Sequence, residues 1–312
     1  MSEKVVIALG GNAILQPKQE ATYENQLENV RKSSEIIAKI VKNGHKVIIT
    51  HGNGPQVGNI LRQNEEAKDV VPPFPLDVCS AESQGFIGYM MEQTLINELN
   101  KAGVDNEVVS VLTQTEVSKD DPAFNNPEKP IGVFYSEEEA KQLAADKGWV
   151  VKEDAGRGWR RVVASPMPTS ILSSNTIKTL TDAGAVCIAS GGGGIPVVRK
   201  EDGTLEGIEA VIDKDRSGFR LAVEAKADTF MILTDVKNVF VNYGKPDQKA
   251  LGIITLEEAK QYDAEGQFSA GSMGPKMEAA IRFAELGGKA IICSLEEADL
   301  AMEGKAGTQI VK

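Results

Sequence analysis

Three lysines in this chain stand beside residues that could put an ammonium group to work. Lys214 lies between Asp213 and Asp215 in EAVIDKD, Lys276 follows Pro275 in GSMGPK, and Lys129 precedes Pro130 in NPEKPIG. Three glycine-rich stretches accompany them: Gly10-Gly11-Asn12, His51-Gly52-Asn53-Gly54, and a run of four, Gly191, Gly192, Gly193 and Gly194, after Ser190. Each glycine gives up roughly 0.5 to 1 kcal/mol relative to alanine where a regular conformation is held, so four in succession need a reason. Two readings compete: a flexible turn, or a cradle of bare backbone N–H groups facing an anion of the phosphate type.

The lysines carry similar alternatives. Pro275 suits the first position of a helix, which places Lys276 in the first turn, at the positive end of the helix dipole, where a cation is disfavoured. Either it is a solvated lysine at small cost, or an anion shares that terminus and Gly271 and Gly274 let the backbone approach it. Lys214, at the end of an expected strand, is either a surface ion-pairing residue worth little or an ammonium held by an aspartate and aimed across a sheet edge. Lys129 is restricted to extended backbone by Pro130 and falls in a segment that reads as a projecting insertion, a place from which lids deliver charge to a reacting group.

Other chemistries are poorly supplied. Only two histidines occur, His45 and His51, which speaks against a histidine-rich zinc site. Of three cysteines, Cys187 and Cys293 sit inside strand-like apolar runs and Cys79 opens a helix-like stretch, with no CxxC pair. VIITHGNGPQVGN imitates a dinucleotide fingerprint, but the acidic residue expected about 20 positions later at a strand end is missing, Asp77 lying in a proline-rich loop. The glycine pattern ending in Gly-Lys-Ser/Thr is absent too. A net charge of −11 disfavours nucleic acid and anionic membrane as partners, so any anion site must be local. No apolar run approaches the ~20 residues of a membrane span. The start, MSEKVVIALGG, enters a strand without a secretory signal, so a cytoplasmic protein is expected.

The elements that must position these groups follow from the apolar pattern. Strand-like runs at 4–9, 46–50, 107–113, 185–190, 229–236 and 289–294 alternate with helix-like segments, the rhythm of a parallel sheet flanked by helices. Runs such as VVIAL are apolar at successive positions, as in strands covered on both faces. The fold class expected is α/β, a three-layer α/β/α sandwich with a mainly parallel open sheet. In the first helix Leu27, Val30, Ile37, Ile40 and Val41 recur at helical spacing and Gly44 supplies a left-handed stop. A second helix is expected from Phe219, Leu221, Ala222 and Ala225. Between 116 and 168 the rhythm breaks into proline-rich, charged sequence with one helix, SEEEAKQLAADKG, and a hairpin around GWVVKEDAGRGWRRVV, the projecting insertion. All three glycine stretches fall at the C-terminal ends of expected strands, the edge where open α/β sheets bind ligands, which favours the cradle. After ILTD a short strand, VFVNY, and a turn at Tyr243-Gly244 leave two readings, an adenine slot or an ordinary hairpin.

In order along the chain, ALGGNAIL, THGNGPQVGN, KPIG, KEDAGRGWRRVV, SGGGGIPVV, EAVIDKD, LTDVKNVFVNYGKPD and GSMGPKMEAA resemble the carbamate kinases, a branch of the amino-acid kinase superfamily, without departure at the positions that matter. The resemblance implies phosphoryl exchange between carbamoyl phosphate and ADP, giving ATP and carbamate with Mg²⁺, at the end of arginine breakdown by the deiminase route, in a homodimer. It implies an N-terminal lobe, 1–200, for carbamoyl phosphate and a C-terminal lobe, 201–312, for the nucleotide. Gly10, Gly11, Asn12, Gly52, Asn53 and Gly191 to Gly194 would wrap carbamoyl phosphate, where any Cβ would obstruct its approach. Lys129 would reach in from the insertion, Lys214 and Lys276 would bridge the transferring group and the nucleotide phosphates, and Asp215 would orient those two lysines. Thr234, Asp235, Val236, Val239, Tyr243 and Met273 would join them on the nucleotide side; no protein metal ligand is implied. Two other functions fit the glycine loops: a related kinase of a larger carboxylate, such as acetylglutamate, and an idle nucleotide-binding regulator.

Overall fold

The computed structural model describes residues 2–154, 156, 158–269 and 273–312. Eight strands form the central sheet: β1 (Lys4–Leu9), β2 (Lys46–His51), β3 (Val108–Val111), β4 (Val186–Ala189), β5 (Thr229–Thr234), β6 (Ile253–Thr255), β7 (Lys289–Ser294) and β8 (Thr308–Val311). Their spatial order is β6-β8-β7-β5-β1-β2-β4-β3, parallel throughout except for the β7/β8 pair. The middle strands show the expected two-sided burial: every residue of β1 is buried. Val6, Ala8, Phe230 and Ile232 pack on one face with the inner stripes of the helices that cover it, while Val5, Ile7, Leu9 and Met231 pack on the other. Two cores back to back make the three-layer sandwich.

The longer helices are α1 (Tyr23–Lys42), α2 (Gly54–Ala67), α3 (Leu76–Ala102), α4 (Glu137–Lys147), α5 (Ser174–Asp182), α6 (Lys214–Glu224), α7 (Leu256–Ala264) and α8 (Met273–Glu285). Helix α1 begins where the Thr22 hydroxyl accepts the Asn25 N–H, and it stops before Gly44, which takes φ +88°. Helices α1 and α3 cover one face of the sheet; α5 to α8 cover the other. None of the described helices is long and apolar enough to cross a membrane.

Residues 129–163 fold apart from this sheet. Strands at Lys129–Tyr135, Trp159–Val163 and Val150–Glu153 pair antiparallel, with α4 started by a Ser136/Glu139 capping box. Three ion pairs tie this unit to the body: Lys147–Glu65 at 2.5 Å, Arg161–Glu209 at 2.6 Å and Lys129–Asp213 at 3.0 Å.

Two local expectations need correction. No strand ends at Asp213-Lys214-Asp215: the chain there is extended, with a single bridge between Ala210 and Ala164, and Asp213 is the N-cap of α6. Apolar Val211 and Ile212 imitate a strand because they are packed inward, Ile212 being 2% exposed. Helix α8 is described from Met273, so Pro275 is its third described residue, although Lys276 still falls in the opening turn. Gly271 lies outside the described residues.

Candidate active site

The site follows from register. Leu9 is level with His51 on one side and Leu233 on the other, and Thr234 is level with Ser294. The loops leaving β1, β2, β5 and β7 therefore emerge side by side at one sheet edge. Strand β1 connects onward to β2 on one flank while β5 lies on the other, and such a switch point opens a crevice between the departing loops. A cleft of about 390 Å³ occupies it, lined by Gly10, Gly11, Asn12, Lys214, Thr234, Asp235 and Lys276, together with Ala13, Gln16, Leu233, Leu295 and Glu296. A larger cavity, about 650 Å³, lies between the insertion and α2 and contains none of the expected site residues.

The ammonium groups converge on two carboxylates. Asp215, 2% exposed, accepts Lys214 Nζ on Oδ1 at 2.5 Å and Lys276 Nζ on Oδ2 at 3.1 Å. One buried carboxylate thus holds the lysines of two different helices. Asp213 accepts Lys129 Nζ on Oδ2 at 3.0 Å, while its Oδ1 takes the N–H groups of Asp215 and Arg216 that open α6. Burial alone would push the Asp213 carboxyl up, but the Lys129 charge and hydrogen bond, the Lys214 charge and the Arg216 N–H outweigh it and bring it down to about 2. Three ammonium groups thus gather on two carboxylates in a chain whose net charge is −11, with Asp235 and Glu296 adding acidic side chains to the cleft lining. The stem of Lys214 crosses the other loops: a Cβ on Gly52 would lie 3.4 Å from Lys214 Cδ and 3.5 Å from the Gly11 nitrogen.

The four glycines are buried, and what each lacks is room for protein neighbours. A Cβ on Gly191 would sit 2.4 Å from His51 Nε2, one on Gly192 2.2 Å from Asn53 Nδ2, one on Gly193 2.3 Å from the Ile212 carbonyl oxygen, and one on Gly194 1.9 Å from Thr115 Oγ1. The chain also passes through positive φ at Ser190, Gly192, Gly193 and Gly194. A Cβ would therefore meet protein as well: the loops after β2 and β4, and the segment entering α6, interlock through the glycine run. Gly193 and Gly194 donate their N–H groups back to Ser190 and Gly191, whereas those of Gly191 and Gly192 find no acceptor among the described residues. His51, wholly buried, donates Nδ1–H to the Gly52 carbonyl, and burial pulls its ring down to about 4, so it is neutral. Gly274 serves the entry of α8, where a Cβ would fall 2.9 Å from the Ser269 oxygen.

Not every expected residue joins the cluster. Val236, Val239, Tyr243 and Met273 do not line the cleft; Gly52, Asn53, Lys129, Asp215 and Gly191 to Gly194 also stand outside its lining, although Asp215 holds two lysines that line it and Gly52 stands against the Lys214 stem. Val239 has no exposure and belongs to the core, while Tyr243 is 73% exposed on a hairpin closed by pairing of Phe240–Val241 with Lys249–Ala250. Sequence reasoning missed Ala13, Gln16, Leu233, Leu295 and Glu296 as cleft residues and Asp213 as the partner of Lys129; for Asp213 the available signal was an aspartate six residues before Phe219, the first of the helical stripe, a side chain suited to an N-cap. The three cysteines are buried, and burial pushes the thiol of Cys79 up to about 11 and that of Cys293 to about 12, so none is a nucleophile.

Comparison with known proteins adds an independent finding. Residues 3–294 match the model of the amino acid kinase family. The chain is 57% identical to a carbamate kinase of Thermococcus kodakarensis over 99% of each chain, and 52% identical to one of Clostridium perfringens over 99% of this chain and all of that one. Among solved structures, a carbamate kinase from Giardia lamblia bound to AMP-PNP superimposes with a TM-score of 0.95 at 49% identity, covering 100% of this chain and 99% of the other.

Proposed function

The chain belongs to the amino acid kinase family and, within it, to the carbamate kinases, and from that premise we propose that its cleft moves a phosphoryl group between carbamoyl phosphate and ADP. The observation that carries the reading is Asp215 drawing Lys214 and Lys276 together at the switch point of the sheet, beside glycine loops with N–H groups to spare.

Phosphoryl transfer asks for positioning and charge more than for covalent help. The terminal oxygen of ADP is already anionic, so no base is needed to create the nucleophile, which suits a site whose histidine is buried and neutral. As its bond to phosphorus forms, the bond from phosphorus to the carbamoyl oxygen breaks and carbamate leaves with the electron pair. Negative charge spread over the equatorial oxygens is met by Lys214, Lys276 and the N–H groups of Gly191 and Gly192. Each lysine exchanges a carboxylate it already holds for a phosphate oxygen, so neither must be gathered from solvent at the moment of reaction. Lys129, brought by the insertion, supports the carbamoyl end with Gly10, Gly11, Asn12, Gly52 and Asn53. The lobe up to about residue 200 handles carbamoyl phosphate and the lobe after it the nucleotide, with Thr234 and Asp235 at the cleft and Val236, Val239, Tyr243 and Met273 reached only if the hairpin and α8 adjust.

Among the described residues no three acidic, histidine or cysteine side chains cluster as a metal cage. The donor set therefore fits Mg²⁺ as a companion of the nucleotide phosphates, with Asp235 and Glu296 the carboxylates lining the cleft. The ion, when bound, offsets phosphate charge. By likeness to the family we further infer a homodimer working in the cytoplasm, at the ATP-forming end of arginine breakdown.

The test is ATP formation from ADP and carbamoyl phosphate by the purified protein, with acetylglutamyl phosphate as a parallel donor. Turnover with carbamoyl phosphate alone is expected; ATP from acetylglutamyl phosphate, or from neither donor, overturns the assignment.

A further inference from the structure

A loop of four glycines has no side chains with which to hold itself, so its shape must be imposed by its neighbours. Two of its carbonyls are fixed by side-chain hydrogen bonds: Gly193 accepts Thr115 Oγ1 at 3.1 Å and Gly191 accepts Gln84 Nε2 at 2.9 Å. Gln84 stands on α3, 5% exposed, and uses its amide at both ends. Besides Gly191, Nε2 donates to the Thr113 carbonyl at 3.2 Å, and Oε1 accepts the Thr113 N–H at 2.9 Å. The side chain thus pairs with Thr113 as a neighbouring strand would, two residues past the end of β3. Thr113 passes the restraint on: its Oγ1 accepts the Ser190 N–H at 2.9 Å and its carbonyl accepts the Ile195 N–H at 2.9 Å. Ser190 and Ile195 are the residues that enter and leave the glycine run.

A buried amide is costly unless its hydrogen bonds are satisfied, and a methionine of similar volume would fill the same space without that demand. What the amide adds is orientation. We propose that Gln84 is a positioning residue for the phosphate end of the substrate: by holding the Gly191 carbonyl and, through Thr113, the two ends of the glycine run, it aims the spare N–H groups of Gly191 and Gly192 at the transferring phosphoryl group. This rests on the carbamoyl phosphate reading and adds a residue more than one shell away from the reacting atoms. It acts on one substrate only, because the nucleotide side of the cleft is built from the loops after β5 and β7, which Gln84 does not touch.

The test is steady-state kinetics of Gln84→Met in the ATP-forming direction, varying each substrate in turn. The expected result is a fall in kcat/KM for carbamoyl phosphate on the order of 10²-fold, the cost of a misplacement of about 1 Å, with KM for ADP within about twofold of wild type. A residue that only supports the fold would lower the melting temperature and leave the constants of the folded enzyme unchanged, and that result overturns the proposal; so does an equal rise in both KM values. Should Gln84→Met fail to fold, Thr113→Val removes the hydroxyl that receives the Ser190 N–H, and the same selective loss is expected, with rescue by Thr113→Ser. A Thr113→Val enzyme as active as wild type would equally sink it. Inactivity of the wild-type protein would instead refute the functional reading itself.

Discussion

Replacing Asp215 with asparagine keeps its shape and removes the charge that unites two lysines. At an effective dielectric near 20, a pair of unit charges about 3 Å apart attracts by roughly 5 kcal/mol before desolvation is counted, so Asp215 is the dominant influence on where Lys214 and Lys276 rest. Asparagine can accept from one ammonium but turns its own N–H₂ towards the other. One lysine is then misaimed, equivalent to losing a preorganised charge donor, on the order of 10² to 10³ in kcat, or about 2.7 to 4 kcal/mol of transition-state stabilisation. Lys276→Met should cost a similar factor. Because carboxylate and lysine act as one unit, the double variant should lose about as much as the worse single one, not the product of the two. ATP formation at saturating ADP and carbamoyl phosphate measures this, with thermal melting to verify folding; the released lysines lie near solvent, their side chains 16% and 15% exposed, so the stability loss should stay near 1 to 3 kcal/mol. A folded Asp215→Asn enzyme within about threefold of wild-type kcat would refute the reasoning, as would strictly multiplicative losses.

Two further outcomes follow from geometry and burial. Gly194→Ala brings a Cβ to 1.9 Å from Thr115 Oγ1 at φ +93°, and should cost about 3 kcal/mol or more in urea unfolding, whereas Gly11→Ala, with nothing within 4 Å, should unfold within about 1 kcal/mol of wild type and register only in substrate KM. His51, held down from 6.5 to about 4 by burial, stays neutral in the fold while the unfolded chain takes up a proton; stability is therefore intact above pH 6.5 and falls as pH drops towards 4, by up to about 3 kcal/mol, and urea melts of His51→Gln should lack that slope.

Much of the site was legible because glycine stretches at strand ends and lysines beside aspartates are local signals, and a parallel sheet brings strand ends together by its nature. The six expected strands and the helix in the insertion are present, the third shortened to Val108–Val111 and the fifth ending at Thr234. What was hidden depended on partners distant in sequence. The N-cap position of Asp213 could be read locally, but nothing near it announces that its other oxygen meets a lysine 84 positions earlier. Val239 reads as slot or core with equal ease, and only the packing of β8 decides it, through the Thr308 hydroxyl that accepts its N–H. Nor does the glycine run reveal which protein groups crowd it: Asn53, Thr115, His51 and the Ile212 carbonyl come from elsewhere in the chain. Gln84 gave no sign at all, since a polar residue on a long helix usually faces water.

The two oxygens of Asp213 have separate employments, one fastening the opening turn of α6 and the other gripping an ammonium from the insertion. A helix start and an overhanging arm thereby share a single anchor. Without Lys129 the Asp213 carboxylate, 16% exposed, would keep only backbone N–H donors, one residue away from Lys214, whose ammonium is already engaged by Asp215. Cutting that one carboxylate would therefore loosen the start of the helix and the grip on the arm together.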